Sequence, residues 1–118
     1  MSNRYEYPQI NAAGQATNEG ASVDLVSNPG STMFVYIEKL DLSVFKAASG
    51  GGGIAEVKDT DGNVIYTISV DGVKDIPLDF GEEGLKVGPG VGIQLAVSGA
   101  QSEQASVSAA LSGHLAFR

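Results

Sequence analysis

A chain of 118 residues, 42% of them apolar, is sized for a single domain with one core, since roughly two-thirds of the unfolded surface can be buried at this length. No apolar run approaches the ~20 residues of a membrane-crossing helix, and the absence of cysteine excludes a disulfide framework and a thiolate site. Fourteen acidic against seven basic residues leave a net charge of −7, which argues against nucleic acid or an anionic membrane as a direct partner, because both need clustered Lys and Arg.

The opening segment Met1-Ser2-Asn3-Arg4-Tyr5-Glu6-Tyr7 has one cation and no apolar stretch behind it, so no secretory signal is expected and synthesis in a cytoplasm follows. Residues 1–21 are polar and rich in small side chains, with few apolar anchors. They predict an extended N-terminal arm ahead of a β-sandwich domain over 22–118. Tyr5, Tyr7, Pro8 and Ile10 crowd together on that arm. They suit a segment that orders on a partner or one that covers an edge of its own domain.

From residue 22 onward, short apolar runs alternate with turn signals, and no helical period interrupts them. Strands are predicted over 22–26, 32–45, 54–60, 63–70, 75–80, 84–88, 91–98 and 103–118. About eight strands in under 100 residues point to an all-β, two-sheet sandwich of the jelly-roll kind. Within 32–45 the buried parity changes, from odd positions at Val35 and Ile37 to even ones at Leu40, Leu42 and Val44, which predicts a bulge near Glu38 and Lys39. In the last strand Ala105, Val107, Ala109, Leu111, Gly113, Leu115 and Phe117 take the inward parity. The outward parity is neutral and small: Ser106, Ser108, Ala110, Ser112, His114. An ordinary solvated face carries more Lys and Glu, so these residues are candidates for an oligomer interface; an inner strand covered on both faces by its own chain would share the pattern.

Motifs that carry chemistry are scarce. Asp59-Thr60-Asp61-Gly62-Asn63 echoes the opening of a calcium loop, but its glycine is at the fourth place and no glutamate stands at the twelfth, so it reads as a tight hairpin. Ser49 followed by Gly50–Gly53 lacks the Lys-Ser or Lys-Thr pair of a phosphate-binding loop and reads as an exposed connection. The single histidine, His114, has no nucleophile or acid motif around it and reads as a surface or interface residue. Glu82-Glu83 and the acids from Asp71 to Asp79 fall in or beside turns, where carboxylates cap backbone amides. Without tryptophan, and with its four phenylalanines expected mostly at core parity, the chain offers no aromatic platform for sugars. No catalytic residue, metal site or cofactor is expected.

Residues 54–98 carry a resemblance. Ile54-Ala55-Glu56-Val57-Lys58-Asp59, Val64-Ile65-Tyr66-Thr67-Ile68, Ile76-Pro77-Leu78-Asp79-Phe80, Gly84-Leu85-Lys86-Val87 and Ile93-Gln94-Leu95-Ala96-Val97-Ser98-Gly99 resemble, in pattern and order, the small decoration (cement) proteins of tailed-bacteriophage capsids, as does the opening Tyr5-Glu6-Tyr7-Pro8-Gln9-Ile10-Asn11. The resemblance implies a jelly-roll virion protein that is no enzyme. It would bind the major capsid protein on the outer capsid surface, commonly as a homotrimer, with no nucleic acid or membrane as partner. On that reading Arg4, Tyr5, Tyr7 and Ile10 are candidate capsid-binding residues. The alternative is a receptor-binding or tail-fibre tip domain that presents loops 47–53 and 81–90 to a host surface; the short arm, with no fibrous shaft, favours the cement protein.

Overall fold

The computed structural model describes residues 8–17, 22–47, 53–98 and 105–117. It contains nine strands: β1 Gln9–Ala16, β2 Ser22–Val26, β3 Phe34–Lys46, β4 Ile54–Asp59, β5 Val64–Ser69, β6 Lys74–Asp79, β7 Leu85–Val87, β8 Ile93–Ser98 and β9 Ser106–Ala116. One sheet runs β1-β9-β3-β6, with β7 also paired to β3, and the other runs β2-β8-β4-β5. All pairings are antiparallel.

The order has a simple origin. The chain doubles back at the β4–β5 hairpin, so that β3 meets β6 and β7, β2 meets β8, and β1 meets β9. Successive pairs fall alternately into the two sheets, which close through β3–β9 and β4–β8. This is the jelly roll, with one of its eight strands broken into β6 and β7.

Gln9–Ala16, expected within the N-terminal arm, form β1 and pair with β9 along their whole length. Of the two readings of the arm, this is the one in which it covers an edge of its own domain, while residues 1–7 and 18–21 lie outside those described. The inward parity of β1 is weak, with Ile10 and Ala12 half-buried and Ala16 in the core. Gly14 lets the strand approach β2 closely, since a Cβ there would stand 2.8 Å from Val23 Cγ1.

The parity change in β3 is a bulge at the expected place. Ile37 pairs with Gly113 and Lys39 with Ser112, leaving Glu38 as the extra residue. On its N-terminal side β3 pairs with β7, and on its C-terminal side with β6. The core is aliphatic: Val35, Ile37, Leu40, Leu42 and Val44 of β3 pack with Val57, Ile93, Leu95, Val97, Val107 and Leu111. Each such side chain contributes about 1.5–3 kcal/mol by leaving water. The phenylalanines are not in this core, contrary to the parity expectation. Phe34 and Phe80 are half-buried, whereas Phe45 and Phe117 are 49% and 64% exposed. Phe45 follows the last inward valine of β3, and Phe117 lies just beyond the end of β9.

At the β4–β5 hairpin, Asp59 is buried and its Oδ1 accepts the backbone N–H groups of Asp61 and Asn63, both at 2.9 Å, while Oδ2 accepts from Asn63 Nδ2 at 3.0 Å. Gly62, at φ +94°, supplies the left-handed residue of the turn. The carboxylate is spent on turn donors, so the segment is a hairpin. The Gly50–Gly52 portion of the glycine loop lies outside the described residues.

Two outcomes follow from this geometry. A Cβ at Gly113 would sit 1.9 Å from the carbonyl oxygen of Tyr36, a backbone atom that cannot swing away, so Gly113→Ala should lower the unfolding free energy by about 3 kcal/mol in a urea titration. Burial tends to raise the Asp59 pKa, but the hydrogen bonds from Asn63, Asp61 and Gly62 outweigh it and hold the carboxyl below its usual 3.8. Its stabilisation is therefore present above pH ~3.8 and lost as pH falls through the lower folded value. Asp59→Ala should cost about 1–3 kcal/mol at neutral pH, and the difference from wild type should shrink in acid.

Candidate oligomer and docking face

The five-stranded sheet has an outer face built from the residues that point away from the core. Ala13 pairs with Ala110, which pairs with Asp41, which pairs with Pro77. One row along, Asn11, Ser112, Lys39 and Asp79 stand in line. Side chains on β1 and β9 are small and uncharged, while those on β3 and β6 are longer and charged. The face is thus hollow along one side, a trough of about 800 Å³ lined by Asn11, Ala13, Ala110, Ser112, Lys39, Asp41, Pro77 and Asp79. A second recess of about 400 Å³ extends it past Gln15, Ser43, Asp75 and Ser108. The opposite sheet differs: Asp24, Gln94, Lys58 and Glu56 stand on its outer face, and Gln94 donates to Asp24 at 3.1 Å.

Each candidate interface residue of β9 takes the outward parity. Ala110 is exposed, Ser108 and Ser112 are half-buried in the trough, and Ser106 is buried at the strand's start. The strand is flanked on both edges, by β1 and β3, yet among the described residues no further layer covers its outer face.

His114 departs from the surface expectation, for it is only 8% exposed. Its ring stacks on Tyr36, with centroids 5.0 Å apart and planes 4° from parallel, and its Nδ1 stands 2.8 Å from Glu38 Oε2. A carboxylate only accepts, so Nδ1 carries the proton. The bulge brings this about, because the extra residue Glu38 reaches the ring that the ladder sets opposite Tyr36. Beside the stack, Phe34 lies 6.4 Å from Tyr36 with Lys86 Nζ 4.2 Å over its ring. The sequence reading missed this cluster. The outward parity of Tyr36 and the predicted bulge were its visible signals, but joining them to His114 required the β3–β9 register.

Of the candidate docking residues, Arg4, Tyr5 and Tyr7 lie outside the described residues. Ile10 is half-buried on β1 and packs against the core. Of the turn acids, Asp79 caps a backbone amide, its Oδ1 accepting from Gly81 N–H at 2.9 Å, whereas Asp71 accepts from Ser69 Oγ and lies 3.6 Å from Lys74 Nζ. The neighbouring carboxyl of Asp75, by competing as a hydrogen-bond partner and by its charge, together with desolvation, raises the Asp41 pKa above the usual 3.8. Among the described residues, no three His, Asp or Glu side chains are grouped to hold a metal ion.

No family model and no curated relative matches the chain. Among solved structures, a chain in the acidic stable capsid structure of Helicobacter pylori bacteriophage KHP30 matches with a TM-score of 0.59 at 16% identity, over 88% of this chain and 86% of that one. That likeness shows the fold. It extends over nearly the whole of both chains, so the two are of similar length. The Yersinia pseudotuberculosis-derived mitogen (TM-score 0.47, 13% identity, 91% of this chain and 88% of that one) is less similar. So is the infectious bursal disease virus Gt strain structure (0.41, 15% identity), where the match spans 92% of this chain but 33% of that one. Neither carries an argument at these scores.

The buried His114–Glu38 pair makes its own prediction. Glu38→Ala strips the acceptor from a buried ring N–H and should cost about 1–3 kcal/mol by denaturant unfolding, whereas Glu38→Gln keeps an acceptor oxygen and should cost less.

Proposed function

We propose that this protein is a structural component of a virion, a decoration or cement protein that binds the major capsid protein on the outer surface of a phage head as a homotrimer. The observation that carries the reading is the whole-chain likeness to a chain of similar length within a phage capsid structure. The neutral β1–β9 side of the trough supports it, since small uncharged residues at Ala13, Ala110 and Ser112 allow close approach of another subunit with no charge to desolvate on those two strands. Ser106, Ser108, Ala110 and Ser112 would line the contact between subunits, while the buried His114 acts from beneath by holding Tyr36 in place. Such a protein acts through rigidity and attachment and needs no active site. Three copies on one symmetric site raise one another's effective concentration, so modest contacts per subunit add to firm attachment.

In this reading, docking to the capsid falls to Arg4, Tyr5 and Tyr7. Pro8 accepts a hydrogen bond from Leu115 N–H at 2.9 Å, so the segment that carries them joins β1 beside the end of β9. A cation with two aromatic rings is a common composition for an interface anchor.

Light scattering on a sizing column should give three times the 12.1 kDa subunit mass or a multiple of it, and the protein should bind emptied heads of its virus. Deleting residues 2–7, which leaves β1 intact, should weaken head binding about tenfold or more without changing the solution mass. Stable trimers with no affinity for heads would instead favour a receptor-binding or fibre-tip role.

A further inference from the structure

The two sheets have four edges, and three are guarded against pairing with another chain. β6 carries Lys74, Asp75, Asp79 and Pro77, which has no N–H to offer. β2 carries Asp24 beside an irregular register, and β5 is bulged at Ile65, where Val57 pairs with Tyr66 and Lys58 with Val64. The fourth edge, β1, has no charge, no proline and no register shift over its eight residues.

The phase of its hydrogen bonding follows from the Leu115 N–H to Pro8 carbonyl bond, which makes 8 and 115 a bonded pair. Even-numbered residues of β1 therefore turn their backbone groups to β9. Asn11, Ala13 and Gln15 turn theirs to the open edge, and among the described residues no strand pairs there.

We propose that β1 pairs antiparallel with β1 of a second copy across a twofold axis, joining the two five-stranded sheets into one continuous sheet. The strand is complementary to itself. With the axis at Ala12, Asn11 of each copy faces Ala13 of the other, a register that sets the open-edge donors of these residues against open-edge acceptors. No like charges meet. On this face the first charged side chains are on β3, two strand spacings or about 10 Å from the edge, so the net charge of −7 is screened at the joint. The pairing also runs the neutral β1–β9 surface of one copy directly into that of the other. The contact needs no capsid and stands independently of the function proposed above.

The test is a charge exchange read by light scattering and native mass spectrometry on the purified protein. Wild type should have an even-numbered mass, a dimer or, where the trough also forms trimers, a hexamer. Asn11→Lys with Ala13→Lys, and separately Asn11→Asp with Ala13→Asp, set like charges opposite each other and should each abolish the even-numbered assembly; because both residues also line the trough, the deciding readout is the mixture, which should re-form pairs with a 1:1 composition. Their side chains lie on the exposed outer face, and an unchanged thermal melt verifies folding. Should either variant fail to fold, Ala13→Pro removes an open-edge N–H without touching a bond to β9, and should also abolish the even-numbered assembly. A wild-type monomer or trimer, variants that keep the wild-type mass, or a mixture that does not re-form a 1:1 assembly would each overturn the proposal. Loss of head binding in an otherwise even-numbered assembly would count only against the cement role.

Discussion

One extra residue in the β3–β9 ladder organises this molecule. Glu38 has no partner position on β9, and from that point the inward side of β3 switches from Val35 and Ile37 to Leu40, Leu42 and Val44. Without the bulge, half of a 13-residue strand would turn its apolar set to solvent, because a one-residue slip inverts every side chain. The bulge also lets one strand serve two short partners, β7 before it and β6 after it, and it brings a carboxylate to His114. Gly113 is the counterpart on β9, the position where the Tyr36 carbonyl comes too near for any side chain.

The core and the outer surface make different demands. Inside, aliphatic side chains from the two sheets fill the space with no large ring among the fully buried residues. Outside, the two faces diverge in composition: one carries charged groups across its strands, and the other is neutral along β1 and β9 with its charges on β3, β6 and β7. A sandwich with one charged face and one partly neutral face is compatible with the attachment role proposed above. Tyr36 is held on the partly neutral face by the ring of His114 and the Glu38 carboxylate.

Much of the fold was legible in the residues. All eight predicted strands, seven between residues 22 and 98 and the long C-terminal one, fall on observed ones within a few residues, because alternation of apolar and polar side chains directly reports a sheet with one buried face. The bulge was legible for the same reason, as a break in parity. β1 was not, since its inward residues include Ala12 and Gly14, whose small side chains leave almost no hydrophobic signal; it is a strand because β9 offers it a ladder. The placement of phenylalanines failed because parity sets a direction, whereas burial depends on how far the opposite sheet extends.

The sequence by itself determined the all-β class, the approximate extent of the strands from residue 22 onward, the hairpin at Asp59 and the neutral outward side of β9, each a matter of local periodicity or turn chemistry. Only the tertiary structure decided which strands are neighbours, and with that the trough, the buried His114–Glu38 pair and the open edge of β1. Those features join residues far apart in the chain, such as Glu38 and His114. Pairing of this kind is fixed by how two sheets close over a common core, which no local pattern records.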